Sequence, residues 1–464
     1  MKRIVDAAII GAGTAGINAM SEVRKVTENF VLIDGGTLGT TCARVGCMPS
    51  KILIQVADDF HRRRVFDTEG IGGAQGLSLD VERAMNHLRR LRDRFTGGIV
   101  EDVIRPLGDK FIAGCCEFVE PQLLRVGGME IRTGGTVIAA GSRPVVPEPW
   151  RRFGERILTT DTLFEQPGLP RDLAVVGLGV VGLEIGQALA RMGVNVSGFD
   201  AIERIGGIED PEVNREAVGI FGRDFPIHLG SEVDLREENG RLRVESAQAS
   251  VVVDRALLSM GRVPNVERLH LERLGVELDE RGLPPFDPQT MQVAGLPVFV
   301  AGDVTGSRPV LHEALHEGKV AGYNAVRARP VAFRRRTPLV IAFTDPNLCR
   351  AGVSWADVRD GKPAVGSARF DGGREKIMLR EEGVIRLYGE RGSGRILGAE
   401  MAAPHGEHLA HQLAWSIQQG CTVFDLLALP FYHPAVEETL HKALVDLADR
   451  VQAPDGPLPG FEAA

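Results

Sequence analysis

A short glycine pattern near the start of the chain constrains its fold more than any other feature. The apolar run 4–10 is followed by three glycines at the first, third and sixth positions of the next segment, Gly11, Gly13 and Gly16. This spacing allows a tight turn, close approach of the backbone to a pyrophosphate and close packing of a helix on a strand. A second strand-like run ends at Asp34, where an acid binds ribose hydroxyls. The pattern predicts a Rossmann unit that binds a dinucleotide.

The same pattern recurs in the middle of the chain. The second set comprises Gly177, Gly179 and Gly182, then Glu184 inside the helix, and Asp200 at the end of the next strand-like run. Two such units, with a cysteine pair near the first, are typical of one tightly held redox cofactor and one exchangeable nicotinamide. The alternative, a single duplicated binding domain, leaves the cysteines unexplained.

The cysteine pair is Cys42 and Cys47, five positions apart. In a regular helix such positions lie about 8.7 Å apart at Cα, whereas a disulfide tolerates at most about 7 Å. Gly46 and Pro49 are therefore expected to break the helical geometry, with a helix starting near Pro49 and Ser50. A helix N-terminus stabilises a thiolate, so Cys47 is the better candidate for a low-pKa sulfur. The alternative is a pair of unrelated buried thiols.

Two further segments resemble strands that end at a ligand. Residues 135–144 form a strand followed by a small-residue turn at Gly141, where a backbone can approach a ligand closely. Residues 297–303 form another strand that ends at Asp303, and a helix containing His312 follows. A carboxylate at this position can accept a hydrogen bond from a polyol chain. Ordinary strand–turn structure remains the alternative for the first segment.

The composition changes after the basic run 334–336, and a third domain is predicted from there to the end. Its most informative residues are His433, Pro434 and Glu438. Pro434 suits the first helical position, which would place His433 at the helix cap and Glu438 in the second turn. A histidine oriented by a carboxylate can serve as a general base. The alternative is a capping histidine beside a solvated glutamate pair.

Length and charge set the outer limits. The chain has 464 residues, enough for about three domains. A formal charge of -8 argues against nonspecific nucleic-acid binding. The N-terminal apolar run is too short for a secretion signal, and no run reaches the about 18 residues needed to span a bilayer. We therefore expect no membrane association and a cytoplasmic protein in which Cys115, Cys116, Cys349 and Cys421 are unpaired thiols.

Taken together, these motifs resemble the two-cysteine pyridine nucleotide–disulfide oxidoreductases, most closely the dihydrolipoamide dehydrogenases. The resemblance covers essentially the whole chain. It implies an α/β fold with two Rossmann-like domains, for FAD and NAD, and a C-terminal α+β dimerisation domain. The expected boundaries are 1–147 and 269–335 for the two segments of the FAD domain, 148–268 for the NAD domain and 336–464 for the dimerisation domain.

The resemblance also implies a role for each motif. Cys42 would meet the substrate, Cys47 would contact the flavin, and Lys51, paired with Glu184, would lie beside the flavin. His433, steered by Glu438, would deprotonate dihydrolipoamide at the cysteines of the other subunit of a homodimer. Electrons would pass from the dithiol through the Cys42–Cys47 disulfide and FAD to NAD⁺. No metal is expected. The expected FAD site comprises Gly11, Gly13, Gly16, Asp34, Lys51, Gly141, Asp303 and His312, and the expected NAD site comprises Gly177, Gly179, Gly182, Glu184, Asp200 and Gly261.

The choice of NAD over NADP follows from the second unit. Asp200 ends its second strand, where an acid accepts a ribose 2′-hydroxyl and repels a 2′-phosphate. Ala201 follows, where NADPH-using relatives such as glutathione reductase carry an arginine. Arg204 is the nearby residue that could oppose this preference.

Three departures from the family pattern surround the expected chemistry. Thr40 replaces a glycine before the first cysteine, Arg44 an asparagine between the cysteines, and Ala435 a threonine after His433–Pro434. They leave open a relative that reduces another small disulfide or electron acceptor, or a redox subunit that does not act on lipoamide. The tail 457–464 has no cysteine, which argues against relatives with a C-terminal thiol or selenol pair.

Arginines crowd residues 61–64 and 89–94. They are interpreted as solvated helix faces. The alternative is a surface for an acidic, lipoyl-carrying partner protein.

Overall fold

The computed structural model of the chain describes residues 2–452, so the tail 457–464 lies outside the described residues. Residues 2–138 form β1 (Lys2–Ile10), α1 (Thr14–Val23), β2 (Phe30–Asp34), α2 (Thr41–Val45), α3 (Cys47–His61), α4 (Val81–Ile99), β3 (Phe111–Ala113), β4 (Cys116–Glu120), β5 (Leu123–Val126) and β6 (Met129–Ile138). Short 3-10 turns lie at Arg62–Val65, Ala74–Gly76 and Arg105–Lys110, with a π-helical turn at Val100–Ile104.

The middle of the chain follows in the same manner. It forms β7 (Ser142–Pro144), β8 (Ile157–Leu158), α5 (Thr160–Leu163), β9 (Asp172–Val176), α6 (Val180–Arg191), β10 (Asn195–Asp200), α7 (Pro211–Phe221), β11 (Ile227–Leu229), β12 (Asp234–Glu238), β13 (Arg241–Glu245), β14 (Ser250–Val253), β15 (Arg255–Leu258) and β16 (Arg262–Pro264). Further 3-10 turns lie at Glu148–Arg156 and Leu271–Leu274.

The rest of the described chain contains a return to the first part and then the C-terminal elements. These are β17 (Val298–Val300), a 3-10 turn at Asp303–Thr305, α8 (Leu311–Ala325), β18 (Leu339–Ala342), β19 (Asn347–Gly352), α9 (Trp355–Val358), a 3-10 turn at Arg359–Gly361, β20 (Ala364–Arg369), α10 (Gly373–Met378), β21 (Val384–Gly389), β22 (Ile396–Ala403), α11 (Gly406–Gln419), α12 (Val423–Leu427) and α13 (Glu437–Ala448).

The first sheet is assembled from two distant parts of the chain. Its strand order is β3-β2-β1-β6-β5-β4, with β3, β2, β1 and β6 parallel and β5 and β4 antiparallel. The edge of β6 opposite β1 is shared, because β5 pairs with its first half and β17 with its last three residues. Val298 lies opposite Thr136, and Val300 opposite Ile138. The returning segment therefore completes the sheet that the N-terminal residues begin.

Small residues hold the two parts of this domain together. Helices α1 and α8 approach so closely that a Cβ atom at Gly318 would lie 2.2 Å from the carbonyl oxygen of Ala15. A Cβ atom at Gly322 would lie 2.2 Å from the carbonyl oxygen of Ala19. These glycines are one helical turn apart, so they form a smooth strip on which α1 packs. The contact brings the first glycine pattern beside Gly302 and Asp303, which follow β17.

The second sheet has the order β11-β10-β9-β15-β8 and is parallel throughout. A three-stranded antiparallel sheet, β12-β13-β14, accompanies it. The buried side chains of these parallel strands are almost wholly apolar, as expected for a parallel sheet covered on both faces. This is the second Rossmann-like unit.

The C-terminal sheet is antiparallel, in the order β18-β19-β22-β21-β20, and α11 and α13 pack against it. Glu400 on β22 is fully buried and accepts backbone N–H groups from Glu209, Asp210 and Trp355 at 2.6, 2.9 and 2.8 Å. Burial raises the pKa of this carboxyl, and the three donors oppose that shift. Because Glu209 and Asp210 precede α7, Glu400 fastens the second unit to the C-terminal sheet.

The predicted fold class is confirmed, with two Rossmann-like units and a C-terminal α+β domain. We propose the domain boundaries predicted from the sequence, namely 1–147, 148–268, 269–335 and 336–464. Within residues 2–452, no helix combines the length and the apolar character needed to cross a membrane.

Replacing Gly322 by alanine tests the close packing of α1 on α8. The added methyl group collides with the Ala19 carbonyl, and overpacking of this kind costs about 1–3 kcal/mol of unfolding free energy. Gly219 in α7 is the matched control, because a Cβ atom there meets nothing within 4 Å. Gly219→Ala should be neutral or stabilising by about 0.5–1 kcal/mol. Urea unfolding of both variants measures the difference, and equal stability would contradict the packing argument.

Candidate active site

The two cysteines lie on consecutive helices that meet at Gly46. Cys42 is the second residue of α2, and Cys47 is the first residue of α3. Gly46 separates the helices with φ −127° and ψ −116°, a conformation outside the helical region. The predicted break is present, but the predicted start of the helix near Pro49 is wrong. Pro49 is the third residue of α3, where a backbone N–H has no acceptor within the helix, so proline fits there.

The two cysteines are not bonded to each other in this structure, and their thiols differ sharply in acidity. The Cys42 thiol donates a hydrogen bond to the Cys47 sulfur, and this bond lowers the pKa of Cys47 to about 7. Burial opposes the shift, and the charge of Lys51 reinforces it. The same hydrogen bond, followed by burial, raises the pKa of Cys42. The geometry therefore favours a thiolate on Cys47 and a proton on Cys42.

Lys51 and Glu184 form an ion pair between α3 and α6. The Lys51 Nζ atom lies 2.8 and 2.7 Å from the two Glu184 carboxylate oxygens. Glu184 is only 3% exposed, and it also accepts the backbone N–H of Phe343 at 2.8 Å. The Phe343 ring lies 4.6 Å from Lys51 Nζ, a cation–π distance. The pairing of Lys51 with Glu184 was predicted from the sequence, whereas the contact with Phe343 was not, because no local pattern marks that residue.

The first glycine pattern forms a cradle that larger residues would fill. Gly11 has φ +109°, and a Cβ atom there would lie 2.2 Å from the carbonyl oxygen of Ala139. A Cβ atom at Gly16 would lie 1.8 Å from the Gly11 carbonyl oxygen. Above Gly13 the space is open, and this N-cap of α1 has no capping side chain. The cradle fits a pyrophosphate at a helix N-terminus.

The second pattern repeats this construction closely. Gly177 has φ +94°, and a Cβ atom there would lie 2.5 Å from the Ser259 carbonyl oxygen. A Cβ atom at Gly182 would lie 1.9 Å from the Gly177 carbonyl oxygen, and the space above Gly179 is open. Gly179 is the N-cap of α6 and offers no capping side chain. The residues present therefore fit two dinucleotides, one at each helix.

The acids at the ends of β2 and β10 also hold the glycine turns. Asp34 accepts the backbone N–H groups of Ala12 and Gly36 at 2.6 and 2.7 Å. Asp200 accepts those of Leu178 and Ile202 at 2.6 and 3.1 Å. Each acid therefore shapes its turn in addition to its predicted contact with a ribose. Arg204, the residue that could favour a 2′-phosphate, lies 3.5 Å from Glu209 as an ion pair.

The expected polar groups of the returning segment lie beside the turn at Gly141. Asp303 follows Gly302, and Ser142 donates a hydrogen bond to its carboxylate at 3.5 Å. Burial raises the pKa of Asp303. The backbone N–H of Asn265 binds the Gly141 carbonyl oxygen at 3.0 Å, and that of Val145 binds the Gly261 carbonyl oxygen at 3.1 Å. His312 is the second residue of α8.

His433 and Glu438 are adjacent, although not as the sequence predicted. His433 Nδ1 lies 2.8 Å from Glu438 Oε1, and the Ala435 N–H donates to the other carboxylate oxygen at 3.1 Å. The hydrogen bond from His433 lowers the pKa of Glu438. Helix α13 begins at Glu437, so the predicted cap at His433 and helical start at Pro434 are wrong. The Glu438 carboxylate instead holds the loop before the helix.

The His433 side chain is 79% exposed on the C-terminal domain, and its hydrogen bond goes to Glu438 rather than to the cysteines of its own chain. Apolar side chains stand out on the same face, namely Trp415 at 65%, Leu429 at 56% and Tyr432 at 84% exposed. They border a cavity of about 580 Å³ whose lining includes Leu440 and Leu444 of α13. Exposed apolar surface of this kind marks an interaction site.

The interpretation of the arginine runs as solvated holds for Arg62, Arg64, Arg90 and Arg94, which are exposed, but not for the buried Arg92. Arg92 is 7% exposed and binds Glu165 and Asp93. Arg89 donates to the carbonyl oxygen of Gln166 at 2.6 Å. Both side chains fasten α4 to the segment after α5, where Glu165 and Gln166 supply the acceptors. The sequence around the arginines does not reveal these distant acceptors. Arg89 and Arg92 are therefore committed to the fold rather than to a partner surface.

The remaining cysteines, Cys115, Cys116, Cys349 and Cys421, are free thiols. Across residues 2–452, no three or more His, Cys, Asp or Glu side chains are grouped to hold a metal ion.

Comparison with known proteins gives matches to two family models. The model for the pyridine nucleotide-disulphide oxidoreductases matches residues 5–318, and the model for their dimerisation domain matches residues 338–444. Dihydrolipoyl dehydrogenase 2 of Haloarcula marismortui is 28% identical over 94% of this chain and 95% of its own length. Dihydrolipoyl dehydrogenase of Geobacillus stearothermophilus is 26% identical over 94% of each chain.

Solved structures match over nearly the whole chain. The HOCl-induced flavoprotein disulfide reductase RclA from Escherichia coli, as its Cu(II) complex, has a TM-score of 0.82 at 23% identity, covering 97% of this chain and 100% of that one. LpdA from Mycobacterium tuberculosis has a TM-score of 0.81 at 23% identity, covering 96% and 100%. At this level of identity the likeness shows the fold.

The acidity of Cys47 can be measured in the reduced protein with FAD bound. We expect a long-wavelength charge-transfer band from the Cys47 thiolate that grows as pH rises through about 7. Cys47→Ser should abolish the band. Cys42→Ala removes the hydrogen-bond donor and should move the transition to higher pH, because a raised pKa leaves less thiolate at a given pH. Cys421→Ser is the control that should change nothing. A band that survives Cys47→Ser and disappears in Cys42→Ser would mean that the sulfur roles are exchanged.

Two substitutions separate the charge of Asp200 from its hold on the glycine turn. Asp200→Asn keeps an acceptor for the Leu178 N–H but removes the negative charge. The preference for NAD over NADP should narrow by about tenfold or more, which corresponds to ~1.4 kcal/mol of repulsion. Asp200→Ala should narrow it similarly and also weaken binding of both cofactors. Steady-state kinetics with each cofactor give the values, and an unchanged preference in Asp200→Asn would contradict the electrostatic argument.

Proposed function

The chain belongs to the pyridine nucleotide-disulphide oxidoreductase family, and on that basis we propose that it is an NAD-dependent dihydrolipoyl dehydrogenase. As a member of this family it is a flavin-dependent disulfide oxidoreductase that uses FAD and NAD. The proposal of dihydrolipoyl dehydrogenase activity rests on the combination of the Cys42/Cys47 pair with the His433–Glu438 pair. The first supplies a thiolate for exchange and the second a base for a dithiol. The similar proteins named dihydrolipoyl dehydrogenase support it.

The cofactors would bind at the two glycine cradles. The N-terminus of α1, Asp34 and Asp303 would hold FAD, with Lys51 against the flavin. The N-terminus of α6 and Asp200 would hold NAD. Bound FAD supplies a two-electron relay between the cysteine pair and the nicotinamide. The other residues expected at these sites, including Gly141, His312 and Gly261, keep their predicted roles as proposals.

Thiol–disulfide exchange assigns the sulfur atoms. In the oxidised protein, a substrate thiolate would attack the Cys42 sulfur of the Cys42–Cys47 disulfide, and Cys47 would leave as a thiolate. The second substrate thiolate would then attack the substrate sulfur bound to Cys42, closing the cyclic disulfide and releasing Cys42. Cys47 suits the leaving role because its pKa is lowered to about 7. The released Cys42 thiolate would then take up a proton, which its raised pKa favours, and the resulting thiol can donate a hydrogen bond to Cys47.

His433 would accept one proton of the dithiol at a time, with one proton passing to the released Cys42 and the other to solvent. Glu438 orients its imidazole through Nδ1, which leaves Nε2 free to receive a proton from a substrate thiol. The dimerisation-domain match supports a homodimer. We propose that the exposed apolar face beside His433 meets a second copy and that His433 thereby reaches the cysteines of that copy.

A related reductase of another small disulfide or acceptor is the second candidate, or a redox subunit that does not act on lipoamide. Thr40 favours this alternative, since it lies two residues before Cys42 with φ +61° and ψ 150°, a region that glycine normally occupies. Its hydroxyl accepts the Ala43 N–H at 3.2 Å and so caps α2. Arg44 and Ala435 also depart from the family pattern. A cytoplasmic location, as predicted from the sequence, is part of this proposal.

Kinetics of His433→Gln test the proposed base. A positioned general base contributes typically about 10²–10⁴-fold, so the variant should lose a comparable factor with free dihydrolipoamide and NAD⁺. It should retain FAD and near-normal reduction of the flavin by NADH. Glu438→Gln should lose less, because Glu438 orients the ring without transferring the proton. Wild-type protein that forms no NADH from dihydrolipoamide would favour the second candidate.

Mixing two inactive variants tests whether the base crosses the dimer. Heterodimers of Cys42→Ser and His433→Gln subunits would hold one intact site, made from the cysteines of one chain and the histidine of the other. Activity should return in samples that contain heterodimers. No recovery would place His433 within its own subunit's site or outside the reaction.

A further inference from the structure

A second ion pair joins the same two helices that Lys51 and Glu184 join. The Arg191 guanidinium on α6 lies 2.6 Å from the Asp58 carboxylate on α3. Asp58 follows Lys51 by seven residues, and Arg191 follows Glu184 by seven. Seven residues are about two turns, a rise of about 10.5 Å, and return a side chain to nearly the same face. The two helices are therefore pinned at two points along one seam.

The signs of these charges specify one register. Helix α3 presents Lys51 and then Asp58, whereas α6 presents Glu184 and then Arg191. A slide by two turns would set Glu184 against Asp58 in one direction, or Lys51 against Arg191 in the other. Like charges in contact disfavour both alternatives. Because the pairs occur in the same chain order on both helices, the helices run parallel.

This parallel arrangement places two functional helix N-termini at the same end of the seam. Cys47 is the first residue of α3, and Gly179 is the N-cap of α6. The thiolate position and the second glycine cradle therefore depend on how α3 and α6 are aligned. Lys51 and Glu184 lie nearest that end, and Arg191 lies two turns behind it.

A segment of the C-terminal domain lies along the same stripe of α6. The stripe is Glu184, Gln187 and Arg191, spaced three and four residues apart. Glu184 accepts the Phe343 N–H at 2.8 Å, and Gln187 binds the backbone N–H and carbonyl oxygen of Asp345 at 2.9 and 2.8 Å. Arg191 donates to the Asp345 carbonyl oxygen at 3.1 Å and to its carboxylate at 3.2 Å.

Arg191 is the centre of the resulting charge cluster. Its side chain is only 6% exposed and contacts Asp58, Asp224 and Asp345 at 2.6, 3.3 and 3.2 Å. Arg380 lies 3.5 Å from Asp345 and supplies a second positive charge. His61 also faces the cluster, and burial followed by the charge of Arg191 lowers its pKa to about 4. A buried guanidinium with three acceptors from different elements is fixed in position.

We propose that Arg191 is a positioning residue that sets the register of α6 against α3 and thereby holds Lys51 and Glu184 in place at the cysteine and nicotinamide end of the seam. The inference rests on the proposed roles of Cys47 and Lys51, and it does not depend on lipoamide as the substrate. Without the ion pair between Arg191 and Asp58, the Lys51–Glu184 pair gains freedom to shift. Lys51 then stabilises the Cys47 thiolate less.

Two readouts follow Arg191→Met in the holoenzyme. Reduction of the flavin by NADH, measured in a single turnover, should slow by about tenfold, because small misplacements of reacting groups cost factors of this size or more. The charge-transfer band of Cys47 should titrate at higher pH in Arg191→Met than in the wild type. The titratable groups that act on Cys47 are Cys42, Lys51 and Glu184. Arg191→Lys keeps the positive charge but lacks the forked set of guanidinium donors. Its flavin reduction rate and its band titration should lie between those of the wild type and Arg191→Met.

Asp58→Asn keeps the proposal testable if Arg191→Met does not fold. It weakens only the tie to α3 and leaves Arg191 with Asp224 and Asp345, so smaller shifts in the same directions are expected. Lys51→Ala is the reference for complete loss of the positioned cation. If Lys51→Ala leaves the band unchanged, the proposed role of Lys51 fails and the inference fails with it.

Arg386→Met is the matched control. Arg386 joins the C-terminal sheet to the second unit through Asp210 and Glu212 but does not contact α3. It should leave both readouts as in the wild type. An equal change in Arg386→Met would overturn the inference, since the effect would then come from general loosening between domains. Wild-type behaviour of folded Arg191→Met, or of Asp58→Asn where the first does not fold, would overturn it as well.

Discussion

The ion pair between Lys51 and Glu184 is the interaction on which the site depends. Glu184 is almost wholly buried, and an unpaired buried carboxylate would cost several kcal/mol. Satisfying it requires α3 of the first unit, α6 of the second and the Phe343 backbone of the C-terminal domain at one point. The cysteine pair at the start of α3 and the second glycine cradle at the start of α6 are positioned by elements that meet there. The local chemistry of the site is therefore a property of the whole assembly of domains.

The same arrangement explains the unequal acidity of two cysteines that are close in sequence. Cys47 receives the hydrogen bond, begins a helix and has Lys51 one turn behind it. Cys42 donates the hydrogen bond, and both this bond and burial raise its pKa. The hydrogen bond, burial and the charge of Lys51 thus favour a thiolate on one of two identical side chains and a thiol on the other. Such a division is what stepwise exchange with a dithiol requires.

The sequence was sufficient for features that rest on local constraints. Gly11 and Gly177 adopt positive φ, and Gly16 and Gly182 have no room for a Cβ atom, so their spacing alone predicted both cradles. Features set by distant neighbours could not be predicted. Arg92 was interpreted as solvated because its acceptor, Glu165, is 73 residues away. The start of α13 was placed at Pro434 because propensity favours proline there, whereas the helix begins at Glu437 and Glu438 binds the Ala435 N–H of the preceding loop. The seam through Arg191 has no sequence signature either.

The shared edge of β6 has a consequence for synthesis on the ribosome. Residues 136–138 leave the ribosome long before their partners in β17, at 298–300. At about 5–20 residues per second, this half-edge stays unpaired for roughly 10 to 30 s. An open strand edge is a template for pairing with other chains. The intervening second unit, whose parallel sheet is complete within its own stretch of chain, can form during that interval. The nascent protein can therefore carry one finished Rossmann unit beside an unfinished one until β17 emerges and covers that edge.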